Sequence, residues 1–133
     1  LAWAGAYLAA HAVLAGLGRG LSAFSQEMGS AWRKTLVVVV SEFGRTFREN
    51  GNRGTDHGHG SVFWVLGGGI QGKQVAGEQV AIGQATLFQN RDMPVLNEYR
   101  AVLGGLLRRT FGLSTTQLDQ VFAGVAPVEL GLV

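Results

Sequence analysis

The feature that most constrains this chain is the unbroken run Thr35-Leu-Val-Val-Val-Val-Ser41. Side chains branched at Cβ are stiff at χ1 and pack well on a pleated surface, so such a run predicts a strand. No polar residue alternates with the valines. A strand without alternation is expected to be buried on both faces, as in the parallel sheet of an α/β protein. Residues 42–60 then turn polar, with three arginines, three acids, two histidines, two asparagines and five glycines. A long polar loop leaving a buried strand is where open α/β sheets hold their ligands.

The 133 residues fit one domain, since domains commonly run to about 100–150 residues. A content of 47% hydrophobic against 15% charged residues excludes a disordered chain. The absence of cysteine excludes a disulfide scaffold and a thiolate zinc module, and leaves the redox compartment open. Two strands alone do not make a stable sheet, and the chain begins at Leu1 in mid-pattern. Residues 1–133 are therefore expected to form one domain that is the C-terminal portion of a longer one.

Around the strand, residues 1–17 are apolar and rich in alanine. They sit at the lower edge of membrane-spanning length and lack a basic leader, so a buried helix is favoured over a membrane span or signal peptide. His11 reads as a core or groove histidine. The helix is expected to stop near residues 16–20, with Ser22 capping a second helix to about Trp32. Residues 61–66 predict a second strand, and the glycine-broken stretch 70–82 a short hairpin. Asn97 is expected to cap a helix over 98–111 with Val102, Leu103, Leu106 and Leu107 on one face, ended by Gly112. Ser114 or Thr115 starts a last short helix.

Eleven basic against nine acidic residues leave a formal charge of +2. Arg33-Lys34 and Arg108-Arg109 are isolated doublets, not the clustered patch that neutralises several phosphates, so nucleic acid is not an expected partner. Gly67-Gly-Gly-Ile-Gln-Gly72 matches the dinucleotide pattern G-x-G-x-x-G, which requires a helix directly after it. Gly77 and Gly83 interrupt that helix, and Asp92 stands near a proline rather than at a strand end. The glycines read as a strand exit.

The strongest local signal is Thr55-Asp-His-Gly-His-Gly60. Imidazole and carboxylate suit zinc, manganese or iron, and glycines let a chain bend around an ion. His57 and His59, two apart, would share one side of an extended backbone. A pair of histidines is half a site, and Glu42 at the strand end is the candidate to complete it. A hydrogen-bonded turn without metal, with Glu42 paired to Arg45 or Arg48, is the alternative. Guanidinium forks suit phosphate or sulfate oxygens, and Arg45 is the candidate to face an anion. Arg48 and Arg53 read as solvent-facing. No activated nucleophile is identifiable, although Ser41 and Thr55 lie near the histidines.

The string Val-Val-Val-Val-Ser-Glu-Phe-Gly-Arg-Thr-Phe-Arg-Glu-Asn-Gly-Asn-Arg-Gly-Thr-Asp-His-Gly-His-Gly over 37–60 resembles the C-terminal part of the bacterial domain-of-unknown-function 1501 family. Leu66-Gly-Gly-Gly69, Asn90-Arg-Asp, Asn97-Glu-Tyr-Arg100 and Leu106-Leu-Arg-Arg109 support the likeness, which extends from about Gly16 to Val133. The family is related to the alkaline phosphatase and sulfatase superfamily. The resemblance implies an α/β fold, part of an alkaline-phosphatase-like sandwich with a mostly parallel central sheet flanked by helices. It implies a hydrolase of phosphate or sulfate esters that uses divalent metal (zinc, manganese or calcium), with a small-molecule ester as partner. By position, Glu42 stands where such enzymes carry an Asp, and Phe43 where they carry a metal-binding His. Asp56, His57 and His59 resemble the later histidine-bearing loop. The nucleophile would lie upstream, as would an export signal to the periplasm or exterior. The departure at Phe43 supports a competing expectation, a non-catalytic binding or structural protein that keeps the fold. Apolar surface left by absent strands would favour a homo-oligomer.

Overall fold

The computed structural model describes residues 2–133, with side chains from residue 11 onward. Leu1 and the side chains of residues 2–10 lie outside the described residues. The first helix, α1 (Ala2–Glu27), runs on through Gly16, Gly18 and Gly20, where a stop was expected. Each glycine lowers helix propensity by about 1 kcal/mol but does not block the hydrogen-bond ladder as proline does. Leu17 and Arg19 between them, both good helix formers, carry the helix onward. Ser22 is thus mid-helix rather than a cap, and its carbonyl accepts from Ser25 Oγ at 2.8 Å. A 3-10 turn over Gly29–Lys34 then delivers the chain to the strand. Among the described residues no helix is long and apolar enough to cross a membrane.

Strand β1 (Leu36–Val39) forms within the valine run, as its stiffness predicts. Its partner is not a parallel strand. After β2 (Gly44–Arg45) and β3 (His57–Gly58), strand β4 (Trp64–Gly67) returns antiparallel to β1, with Leu36 opposite Gly67 and Val39 opposite Trp64. A second small antiparallel sheet pairs Gly44 with Gly58 and Arg45 with His57. The expected α/β sandwich with a mostly parallel central sheet is therefore not what the described residues form. The physical reason lies between the strands: a parallel pair needs a crossover, usually a helix. Residues 40–63 supply only a loop folded into its own hairpin, so the chain comes back in the opposite direction. Nor is the run buried on both faces as expected: all four β1 residues are half-buried and Val40 is exposed, because a two-stranded sheet leaves much of its surface uncovered.

Residues 70–82 contain no strand. Asn97 holds this excursion instead of capping a helix: its side chain accepts from Glu78 N at 2.9 Å and donates to Glu78 O at 3.0 Å. Helix α2 (Tyr99–Phe111) is capped by Glu98, whose carboxylate accepts from Arg100 N, and it ends on left-handed Gly112. Helix α3 (Thr115–Val121) begins with a reciprocal capping box between Ser114 and Gln117. Ala101, Leu106 and Leu118 form the buried core of this end, with Leu87 buried beside the loops. The tail crosses α2 through Val128 N to Ala101 O at 2.9 Å, and a side chain at Gly105 would overlap the Val128 carbonyl.

Candidate functional site

Three glycines let the polar loop fold back on itself. Gly44 pairs with Gly58, and a Cβ on Gly44 would overlap the carbonyl of Gly60. One on Gly58 would meet the Arg45 carbonyl carbon at 2.7 Å, and one on Gly60 would strike the carbonyls of Met93 and Pro94. Gly60 N donates to Met93 O at 3.0 Å, pinning the end of the histidine cluster to the segment that carries Asp92.

That segment turns tightly. Arg91 N donates to Phe88 O at 3.1 Å across Gln89 and Asn90, whose φ values of 50° and 58° are both left-handed. These are the requirements of a type I′ turn, which sends the chain straight back on itself. Asp92 consequently faces Phe88 on one side and bridges to Thr46 on the other. Arg48 clasps the turn from outside: Nη1 donates to Asn90 O at 2.5 Å, and Nη2 to Gln84 Oε1. Arg48 is exposed, as expected, and from the surface its guanidinium also holds a backbone carbonyl.

Asp92 is the consequence of this folding. It is 1% exposed, and its Oδ2 lies 2.5 Å from Nδ1 of His59, whose side chain is 55% exposed. Oδ1 accepts from Arg91 Nε at 2.7 Å. The Arg91 hydrogen bond first, then that from His59, pull the Asp92 carboxyl below its ordinary value against the opposing effect of burial. An ionised carboxylate only accepts, so His59 Nδ1 must carry the hydrogen. Nε2 is left as the free polar atom of a ring steadied by Phe88, edge-on at 4.9 Å.

The other residues singled out from sequence sit differently. His57 stacks on Phe43, ring centroids 3.8 Å apart and 15° from parallel, and the Arg45 guanidinium lies 5.7 Å from the Phe43 ring. Asp56 accepts from Asn50 Nδ2 at 2.8 Å. Glu42 is exposed and forms no ion pair with Arg45 or Arg48. Among the described residues no three His, Asp or Glu groups converge as a metal site. Glu42, Asp56, His57 and His59 therefore do not assemble into one ligand set. Of these four, His59 has one ring nitrogen fixed by a carboxylate, as metal-binding histidines commonly do.

Asp92, Arg91, Arg48 and Phe88 were missed as site residues. The signal available was Gln89-Asn90: asparagine tolerates left-handed backbone, so the pair marks a turn able to bring Asp92 back toward the loop.

The chain matches a protein family described as "Protein of unknown function (DUF1501)" over residues 6–122. No curated protein matches it. No solved structure matches it either.

Proposed function

The chain belongs to the DUF1501 family of proteins of unknown function, and we propose that it is part of a metal-dependent hydrolase of phosphate or sulfate esters, to which it contributes one oriented imidazole, His59. The observation that carries this reading is the buried Asp92 carboxylate 2.5 Å from His59 Nδ1 on a largely exposed ring. A carboxylate so placed fixes the tautomer and aims Nε2, the arrangement used both to present histidine to a cation and to steady a general base. A divalent ion, when bound, would polarise an ester oxygen. The chain's own groups do the rest: Asp92 orients, Phe88 limits the swing of the ring, and Arg45 on the same loop meets the anionic ester. The nucleophile and further ligands belong to sequence preceding Leu1, as does an export signal to the periplasm or exterior. These last points rest on the sequence resemblance over residues 37–60.

The experiment is a screen of full-length protein against phospho- and sulfo-esters with Zn²⁺, Mn²⁺ or Ca²⁺. Turnover that a chelator abolishes and that His59→Ala removes supports the reading. Absence of bound metal, together with unchanged properties in His59→Ala, overturns it.

One observation favours a second reading, a non-catalytic binding or structural protein. Phe43 occupies a position where the resemblance puts a ligand, and its ring covers His57. A full-length protein that binds an ester without turning it over under any of these ions would establish that reading.

A further inference from the structure

The sequence contains one Asn-Gly pair, Asn50-Gly51, and the structure surrounds it in an unusual way. Asn50 Oδ1 accepts two backbone hydrogen bonds, from Asn52 N at 3.0 Å and Gly54 N at 3.1 Å. Its Nδ2 donates to Asp56 Oδ1 at 2.8 Å. Gly51 N donates no hydrogen bond among the described residues, and a Cβ on Gly51 would meet nothing within 4 Å. An amide carbonyl held by two N–H groups is the arrangement that stabilises a developing oxyanion. Here the electrophile is Asn50 Cγ, the adjacent unhindered nucleophile is Gly51 N, and the leaving nitrogen sits on a carboxylate.

We propose that Asn50 is a self-modification site, at which the folded loop promotes cyclisation of Asn50 onto Gly51 and conversion of the residue to aspartate or isoaspartate. Gly51 N bonds to Asn50 Cγ and gives its proton to solvent. The negative charge collects on Oδ1 under the two backbone N–H groups. The Cγ–Nδ2 bond then breaks, and Nδ2 receives a proton from solvent by way of the Asp56 carboxylate and leaves as ammonia. Water adds to either carbonyl of the resulting five-membered imide and opens it. No electron is gained or lost, and water is the one co-reactant. The product has lost the donor to Asp56, and two carboxylates then face each other. Asp56 N and O both bond Thr46, each at 3.1 Å, so the change loosens the strand that leads to His57.

The test uses the full chain, folded in buffer and unfolded in urea, with ammonia release and isoaspartate at position 50 followed over time. The folded chain is expected to convert faster, by roughly tenfold or more if the two N–H groups act as an oxyanion cradle. Gly51→Ala, which the open space tolerates, is expected to slow the folded reaction, and Asp56→Ala to slow ammonia loss. A folded rate equal to or below the unfolded rate overturns the proposal, as does a Gly51→Ala chain that converts as fast as its parent.

Discussion

Nδ1 of His59 and Oδ2 of Asp92 meet at 2.5 Å although 33 residues separate them in sequence. The contact exists because two local devices close on each other, the glycine crossing at Gly44, Gly58 and Gly60 and the left-handed turn at Gln89 and Asn90. If the ring acts through Nε2, its orientation by Asp92 should be worth far more to turnover than to binding. Asp92→Asn in the full-length protein is expected to lower kcat by roughly 10–100-fold, with KM nearly unchanged. Steady-state kinetics on whichever ester the screen yields decide it. An Asp92→Asn enzyme with parental kcat removes the orienting role.

The same carboxylate sets a pH dependence of stability. Asp92 is held below its ordinary value of 3.8 by Arg91 and His59. A group whose folded value is depressed stabilises fully above the unfolded value, and that contribution is lost as pH falls through the folded one. Urea midpoints should therefore be insensitive to Asp92 above about 3.8 and fall below it. In Asp92→Asn this acid-limb component should vanish. Parallel curves for parent and variant across the acid range would contradict the assignment.

The turn that carries Asp92 holds Gln89 at φ 50°, where a side chain other than glycine is strained. Gln89→Gly should therefore raise stability by about 1 kcal/mol, visible as a higher urea midpoint without loss of turnover. The gain is expected even though Gly has more freedom to lose on folding, because the left-handed penalty is the larger effect. Arg48→Ala is the converse change. It frees Asn90 O and Gln84 Oε1, and should depress both stability and any turnover that depends on His59.

Much of the local structure was legible because it depends on near neighbours. Ser114 with Gln117, Gly112 after α2 and the valine run of β1 each act through chemistry within a few residues, and each element forms at the expected place. Direction and partnership were not legible in this way. The valines of β1 specify a strand, and nothing in them distinguishes a parallel from an antiparallel neighbour, so the expected parallel sheet gave way to a pair with β4. The site shows the same division. His57 and His59 look equivalent in sequence, yet one ring is covered by Phe43 and the other bonded to Asp92. The difference comes from residues 14 and 33 positions away, beyond the reach of spacing arguments. Asn97 drew attention as a helix cap, whereas its amide fits the Glu78 backbone, a choice settled by tertiary contact.

The glycine crossing makes the last prediction. A methyl group on Gly44 would occupy the space of the Gly60 carbonyl, and Gly60 is held in place by its N–H, which donates to Met93 O at 3.0 Å. Neither strand can retreat without breaking the Gly44–Gly58 pairing or withdrawing His59 from Asp92. Gly44→Ala should cost about 1–3 kcal/mol and should reduce His59-dependent turnover together with stability. Gly72→Ala is the matched control, because a Cβ there meets nothing within 4 Å and its φ is not left-handed. That variant should stay within about 0.5 kcal/mol of the parent. Urea unfolding of the two variants side by side separates a steric effect at the crossing from a general effect of adding methyl groups. Equal midpoints for Gly44→Ala and Gly72→Ala would mean that the crossing is looser than the overlap of these atoms requires.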